Sequence, residues 1–138
     1  MHQLTVPKRL AQEMIEHARE DAPNECCGIL AGASSAVQHV YRARNIDRSP
    51  VKYTIDPQDM ARIFSDADKA GQEILAFYHS HTFSEAYPSV TDVKLAPPSD
   101  LFDYQYVIVS LADSANPVVR SFRIEGKQVV EVKVTIEG

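Results

Sequence analysis

Between Pro7 and Glu20 the apolar residues fall at Leu10, Ala11, Met14, Ile15 and Ala18, with charged residues elsewhere. That spacing predicts an amphipathic helix with Pro7 near its first turn, ended by Asp21-Ala22-Pro23-Asn24. The period then changes. Glu25 to Ala31 reads as a buried strand, Gly32-Ala33-Ser34-Ser35 as a turn, and Ala36 to Asn45 as a second strand, together a hairpin. Asp47-Arg48-Ser49-Pro50 is a loop and Val51 to Ile55 a short strand. Asp56 can cap a second helix and Pro57 fits its first position; Met60, Ala61, Ile63, Phe64 and Ala67 form its apolar face, and Lys69-Ala70-Gly71 ends it. Glu73 to His81 is a strand rich in apolar residues. Pro88 precedes a short helical stretch, Ser89 to Ala96, which Pro97-Pro98 stops. Tyr104 to Leu111 is a strongly apolar strand, and Val118 to Ile124 with Val129 to Ile136 flank Glu125-Gly126-Lys127 as a second hairpin. This order predicts a mixed sheet with helices packed against it, in the α/β or α+β class.

Composition narrows the class. With 138 residues, no internal repeat and no low-complexity linker, residues 1–138 read as a single domain able to bury a real core. The net charge of −5 argues against nucleic acid, whose phosphates need a clustered basic surface. No apolar run approaches the roughly 20 residues of a membrane span. The stretch Met1 to Pro7 has neither the basic nor the apolar region of a secretion signal, so a cytoplasmic protein is expected. The two cysteines, Cys26 and Cys27, are adjacent; a bridge between neighbours would staple nothing, so reduced, buried thiols are expected.

The chemistry concentrates at the end of the Glu73–His81 strand. Residues two apart on a strand share a face, so His79 and His81 can reach one ion. Asp92 follows in Ser89-x-x-Asp92, and two imidazoles with one carboxylate suit Zn²⁺ while leaving a fourth position open. Other readings stand beside this one. The histidines can be polar residues held by ordinary hydrogen bonds at a strand end. Ser89 with an acidic residue three later is also a capping box, worth about 1 kcal/mol to a helix start, and both roles can coexist. A zinc hydrolase needs a general base near its water; Glu25 is one candidate, and spacing does not dismiss Glu13, Glu16, Glu20, Glu73 or Glu85. The chain has no G-x-S-x-G elbow, Walker loop, dinucleotide glycine pattern or H-E-x-x-H motif. The adjacent, upstream cysteines do not match the P-C-x-x-C of a zinc deaminase.

Taken together, Glu25, His79-Ser80-His81, Ser89 and Asp92 form an E…H-S-H-x(7)-S-x-x-D constellation. It resembles the JAMM, or MPN+, zinc metallopeptidases of the JAB/MPN/Mov34 type, and Asn24 to Gly32 resembles the family's first strand. Thr82 stands where many members carry Pro, and the run from Tyr78 to Ala96 is similar to the bacterial Mec-type peptidases. The resemblance implies a cytidine-deaminase-like α/β sandwich with a curved central sheet flanked by helices. It implies Zn²⁺ and a water held by His79, His81 and Asp92, with Glu25 moving the water's proton and Ser89 stabilising the oxyanion. The implied substrate is a small ubiquitin-like sulfur carrier (ThiS/MoaD-like) whose Gly-Gly tail is joined to cysteine. A different ubiquitin-like tail or small peptide, or a metal-free binding scaffold, are the alternatives. The segment Phe83 to Tyr87 is expected either to line the tail or the leaving residue, or to be a plain surface loop.

Overall fold

The computed structural model describes residues 3–97 and 104–138. Its elements are β1 (Gln3–Pro7), α1 (Lys8–Asp21), β2 (Cys27–Ala33), β3 (Ala36–Ala43), α2 (Pro57–Lys69), β4 (Glu73–His81), α3 (Val90–Leu95), β5 (Gln105–Ser110), β6 (Val118–Glu125) and β7 (Gln128–Glu137). The strands run in the order β1-β3-β2-β4-β5-β6-β7, and β1 pairs again with β7, so the curved sheet closes into a barrel. The ladders are parallel at β1–β3, β1–β7 and β4–β5 and antiparallel elsewhere, the mixed sheet that interleaved helices and hairpins predict.

Two cores explain why β2 reads as an unbroken apolar run. Cys26 and Leu30 join Leu4, Met14, Tyr78 and Val107 on the side of α1. Cys27 and Ile29 join Ala43, Ile55 and Ile63 on the side of α2. A strand buried on both faces has no polar face to show. Helix α1 touches β5 and the contiguous strands β7, β1 and β3, whereas α2 touches β3 and β4. Between the cores, Gly28 lies so close to the Tyr78 ring and the Tyr41 carbonyl that a Cβ there would collide with both. The Tyr78 hydroxyl is satisfied by His17 Nδ1 at 2.7 Å, tying α1 to β4.

Several expectations are corrected. Strand β1, which closes the barrel, is not anticipated by the pattern. Val51 to Ile55 is no strand: one bridge, Asn45–Ile55, is all that forms. The Asn45 side chain takes the ladder's place, donating to the Glu25 and Lys52 carbonyls and accepting from the Asp47 and Thr54 N–H groups. Ala61 and Phe64 are exposed, and the buried residues of α2 are Ile63 and Ala67. The first turn is tighter than expected, with Ser34 and Ser35 at φ 52° and 67° and Gly32 and Ala33 still in the strand. Pro98, half of the expected helix stop, lies outside the described residues. Both cysteines are free and fully buried; burial pushes the Cys26 thiol up to about 12 and Cys27 also upward, so they are packing residues. Among the described residues no helix is long and apolar enough to cross a membrane.

Candidate metal centre

Strand β4 ends with His79 and His81, both buried, and α3 brings Asp92 to them. Their ligand atoms form a small triangle: Nε2 to Nε2 is 3.2 Å, and each Nε2 is 3.1 Å from Asp92 Oδ2. Three corners of a tetrahedron around zinc, with bonds of roughly 2.0–2.1 Å, lie about 3.3 Å apart. The donor set and its spacing therefore fit one tetrahedral cation.

The protonation pattern points the same way. His81 Nδ1 lies 2.8 Å from the Glu85 carbonyl, which can only accept, so Nδ1 carries a hydrogen. In the neutral ring the Nε2 lone pair then faces a carboxylate oxygen. Either a proton or a metal ion must sit between them. Ser89 N–H donates to the same Oδ2 at 2.9 Å, so one oxygen meets three nitrogens. Burial would raise the Asp92 pKa, but the bonds from His79 and His81 outweigh it and hold the carboxylate well below its usual range. Burial pulls His79 down on balance. For His81, burial is outweighed by the Asp92 and Glu85 bonds and the net direction is up.

Ser89 caps α3 as the spacing predicts. Its Oγ accepts from the Asp92 N–H at 3.0 Å, and Ser89 N–H with Asp92 Oδ2 completes the capping box. The cap and the metal triangle coexist, since the oxygen that caps also faces the imidazoles. Among the described residues the Ser89 hydroxyl hydrogen has no acceptor and is free to donate.

Glu25 is distinguished from its competitors by burial, being 4% exposed. The β2–β4 register pairs Cys27 with His79, and Ser80 N–H donates to the Cys26 carbonyl, so continuing the ladder sets Glu25 abreast of His81. Burial raises its pKa to about 8, His81 pulling down and Asp92 up. Its Oε1 is buried with no hydrogen-bond partner among the described residues. A buried carboxyl oxygen left unpaired beside a metal-fitting cluster is costly unless something polar meets it there. By contrast Glu13 and Glu20 are paired with Arg42, Glu73 accepts from Ser34 N–H, and Glu16 and Glu85 are outside the core.

The supporting contacts form only once the chain has folded. Tyr53 stacks on the His79 ring at 4.4 Å between centroids. Asn45 holds the Glu25 carbonyl, and Thr82 Oγ1 donates to the Pro23 carbonyl, tying the end of β4 to the chain before Glu25. In the Phe83–Tyr87 segment, Ser84 and Glu85 carbonyls are tethered by Ser110 and His81 and Ala86 is buried, while Phe83 is 74% exposed. Tyr87 packs edge-on against Phe122.

Similar proteins are known over nearly the whole chain. A family model described as prokaryotic homologs of the JAB domain matches residues 7–125. A CysO-cysteine peptidase of Mycobacterium tuberculosis is 38% identical over 135 residues, covering 96% of this chain and 90% of that protein. A desampylase of Haloferax volcanii is 40% identical over 86 residues, covering 57% of this chain and 62% of the relative. The solution structure of a Desulfitobacterium hafniense protein superposes with a TM-score of 0.88 at 36% identity, covering 97% of this chain and 92% of the other. The chain belongs to the prokaryotic branch of the JAB domain family.

Proposed function

We propose that this chain is a single-domain, cytoplasmic zinc peptidase that hydrolyses the amide bond after the C-terminal glycine of a ubiquitin-like sulfur carrier and releases cysteine. The observation that carries the metal reading is the 3.1–3.2 Å triangle of His79, His81 and Asp92. The substrate reading is supported by the Mycobacterium relative, which is named a CysO-cysteine peptidase and whose length this chain nearly spans. Two buried, unpaired neighbouring thiols suit a reducing compartment.

Zinc at this group supplies a Lewis acid and a water acidic enough to ionise near neutral pH. The protein's own residues do the rest. Glu25 sits beside His81 in a buried position; burial alone favours its protonated form, and a cation held by the triangle would favour the carboxylate, which accepts the proton of the attacking water and returns it to the leaving amine as the C–N bond breaks. Ser89 Oγ–H donates to the carbonyl oxygen as it gains charge, held in place because α3 begins there. A cavity of about 350 Å³ lined by Tyr53, Met60, Phe77, Leu95 and Tyr106 has Asp92 on its wall. An apolar side chain of the carrier's tail fits there, while its glycines let the backbone approach the reacting centre. Phe83, exposed on a tethered loop, is free to touch the same substrate.

The test is hydrolysis of a purified carrier–cysteine adduct. Chelator treatment should abolish release of cysteine and zinc should restore it. Cleavage that survives chelation, or failure to cleave with zinc bound, contradicts the proposal. Ser89→Ala should retain zinc yet lower kcat by about 10²–10³-fold, the usual scale for one oxyanion donor. A kcat within twofold of wild type would leave Ser89 as a helix cap alone. A relative from Thermus thermophilus named a probable TtuB-protein conjugate cleaving protease supports a second substrate, a tail joined to another protein, and that conjugate belongs in the same assay.

A further inference from the structure

The leaving group must lie on the Glu25 side of the scissile bond, because Glu25 returns the proton to the departing nitrogen. Glu25 is also in the wall of a second cavity, of about 980 Å³, together with Asn24, Arg42, Arg44, Arg48 and Arg62. Three of these arginines are already committed. Arg42 pairs with Glu13 and Glu20, Arg44 with Asp56 and Asp59, and Arg62 with Asp59 and Asp66. The wall's carboxylates Glu20, Asp56 and Asp59 are taken up by the same pairs, and Asp21 faces His17 at 3.4 Å. Arg48 has no such partner among the described residues and is exposed.

Its placement is fixed by the chain around Glu25. Glu25 N–H donates to the Ser49 carbonyl at 2.8 Å, Asn45 Nδ2 donates to the Glu25 carbonyl, and Arg48 N–H donates to the Asn45 carbonyl at 3.2 Å. Arg48 itself is held at φ 45°, a left-handed conformation that a residue with a Cβ rarely adopts, next to the residue bonded to Glu25. Among the described residues, the one uncommitted guanidinium of this cavity thus belongs to the residue before Ser49, whose carbonyl accepts from Glu25 N–H.

We infer that Arg48 binds the α-carboxylate of the leaving amino acid and so makes the site prefer a carrier joined to the α-nitrogen of a single residue. In such an adduct the carboxylate carbon is two bonds from the scissile nitrogen. In a conjugate through a lysine side chain no carboxylate lies near it. A guanidinium fork matches a carboxylate in two parallel hydrogen bonds. The inference rests on the peptidase reading above and extends it to the leaving group.

The experiment uses the zinc-loaded full chain and two substrates, the carrier–cysteine adduct with its free carboxylate and the same adduct as a carboxamide. The wild type should favour the acid by about tenfold or more in kcat/KM, the lower end for a hydrogen bond to a charged group. Arg48→Ala should lower the acid to the level of the amide, mainly through KM, and leave the amide unchanged. Arg62→Ala, which removes the same charge from the same cavity, should keep the preference. Binding of a synthetic peptide ending Gly-Gly-Cys, as acid and as amide, to zinc-loaded Glu25→Gln gives a readout without turnover. It should show the same preference, lost on adding Arg48→Ala. Equal handling of acid and amide in both assays, or equal losses on both from Arg48→Ala, overturns the inference. If neither adduct is hydrolysed but the peptide acid binds in an Arg48-dependent way, the peptidase reading fails and the carboxylate site stands.

Discussion

Glu25→Gln should keep its zinc and lose its turnover. Glutamine has the shape of the buried side chain but cannot accept and return a proton, and a positioned acid–base group contributes about 10²–10⁴-fold. Metal analysis should still find the ion, because His79, His81 and Asp92 are untouched. A kcat within threefold of wild type would remove Glu25 from the mechanism and return the role to another carboxylate. The same substitution has a signature in the metal-free protein. The folded-state pKa of Glu25 is raised, to about 8 from 4.5, because burial opposes the charge. A raised carboxyl pKa means that folding favours the proton, so this group's contribution to stability is full below pH 4.5 and is lost as pH rises towards 8. Metal-free Glu25→Gln should therefore gain on the wild type in melting temperature between pH 5 and 8, the gap widening as pH rises.

The second large effect belongs to Asp92. Its Oδ2 faces both imidazoles and also accepts from Ser89 N–H, so its two roles must be separated by choice of substitution. Asp92→Ala should lose the metal and with it all measurable hydrolysis, and weaken the start of α3 by about 1 kcal/mol. Asp92→Asn keeps an acceptor for Ser89 N–H but supplies no negative charge to the ion. It should melt close to the metal-free wild type while purifying with little zinc. Full zinc occupancy in Asp92→Asn would show that the carboxylate serves the helix and not the metal.

What was legible in the sequence is what local physics dictates. Strand β4 was expected from Glu73 to His81 and runs over that span, because its apolar run follows a helix-ending glycine. Asp56 and Pro57 mark the start of α2 as expected, with Asp56 accepting from Gln58 N–H. Barrel closure was not legible. Strand β1 has only Leu4 and Val6 facing the core, and its pairing with β7 joins opposite ends of the chain. Val51 to Ile55 has the composition of a strand, yet the Asn45 side chain takes the Lys52 carbonyl and Thr54 N–H that a ladder would have used.

The site divides in the same way. His79, His81 and Asp92 announced themselves by spacing, because strand and capping-box geometry are local. Glu25 could not be chosen over five other glutamates without knowing which one is buried beside His81. Arg48 carried no signal at all, since being unpaired is a property of the neighbours that other arginines found. Tyr53 and Thr82 meet the site only after the chain has folded around it.

Every role assigned above depends on His79, His81 and Asp92 holding one zinc ion. Crystals of the zinc-loaded protein, measured on both sides of the zinc absorption edge, test it directly. A single anomalous peak bonded to His79 Nε2, His81 Nε2 and Asp92 Oδ2 is expected. Density showing those three side chains bonded only to one another, with zinc elsewhere or nowhere, would contradict it.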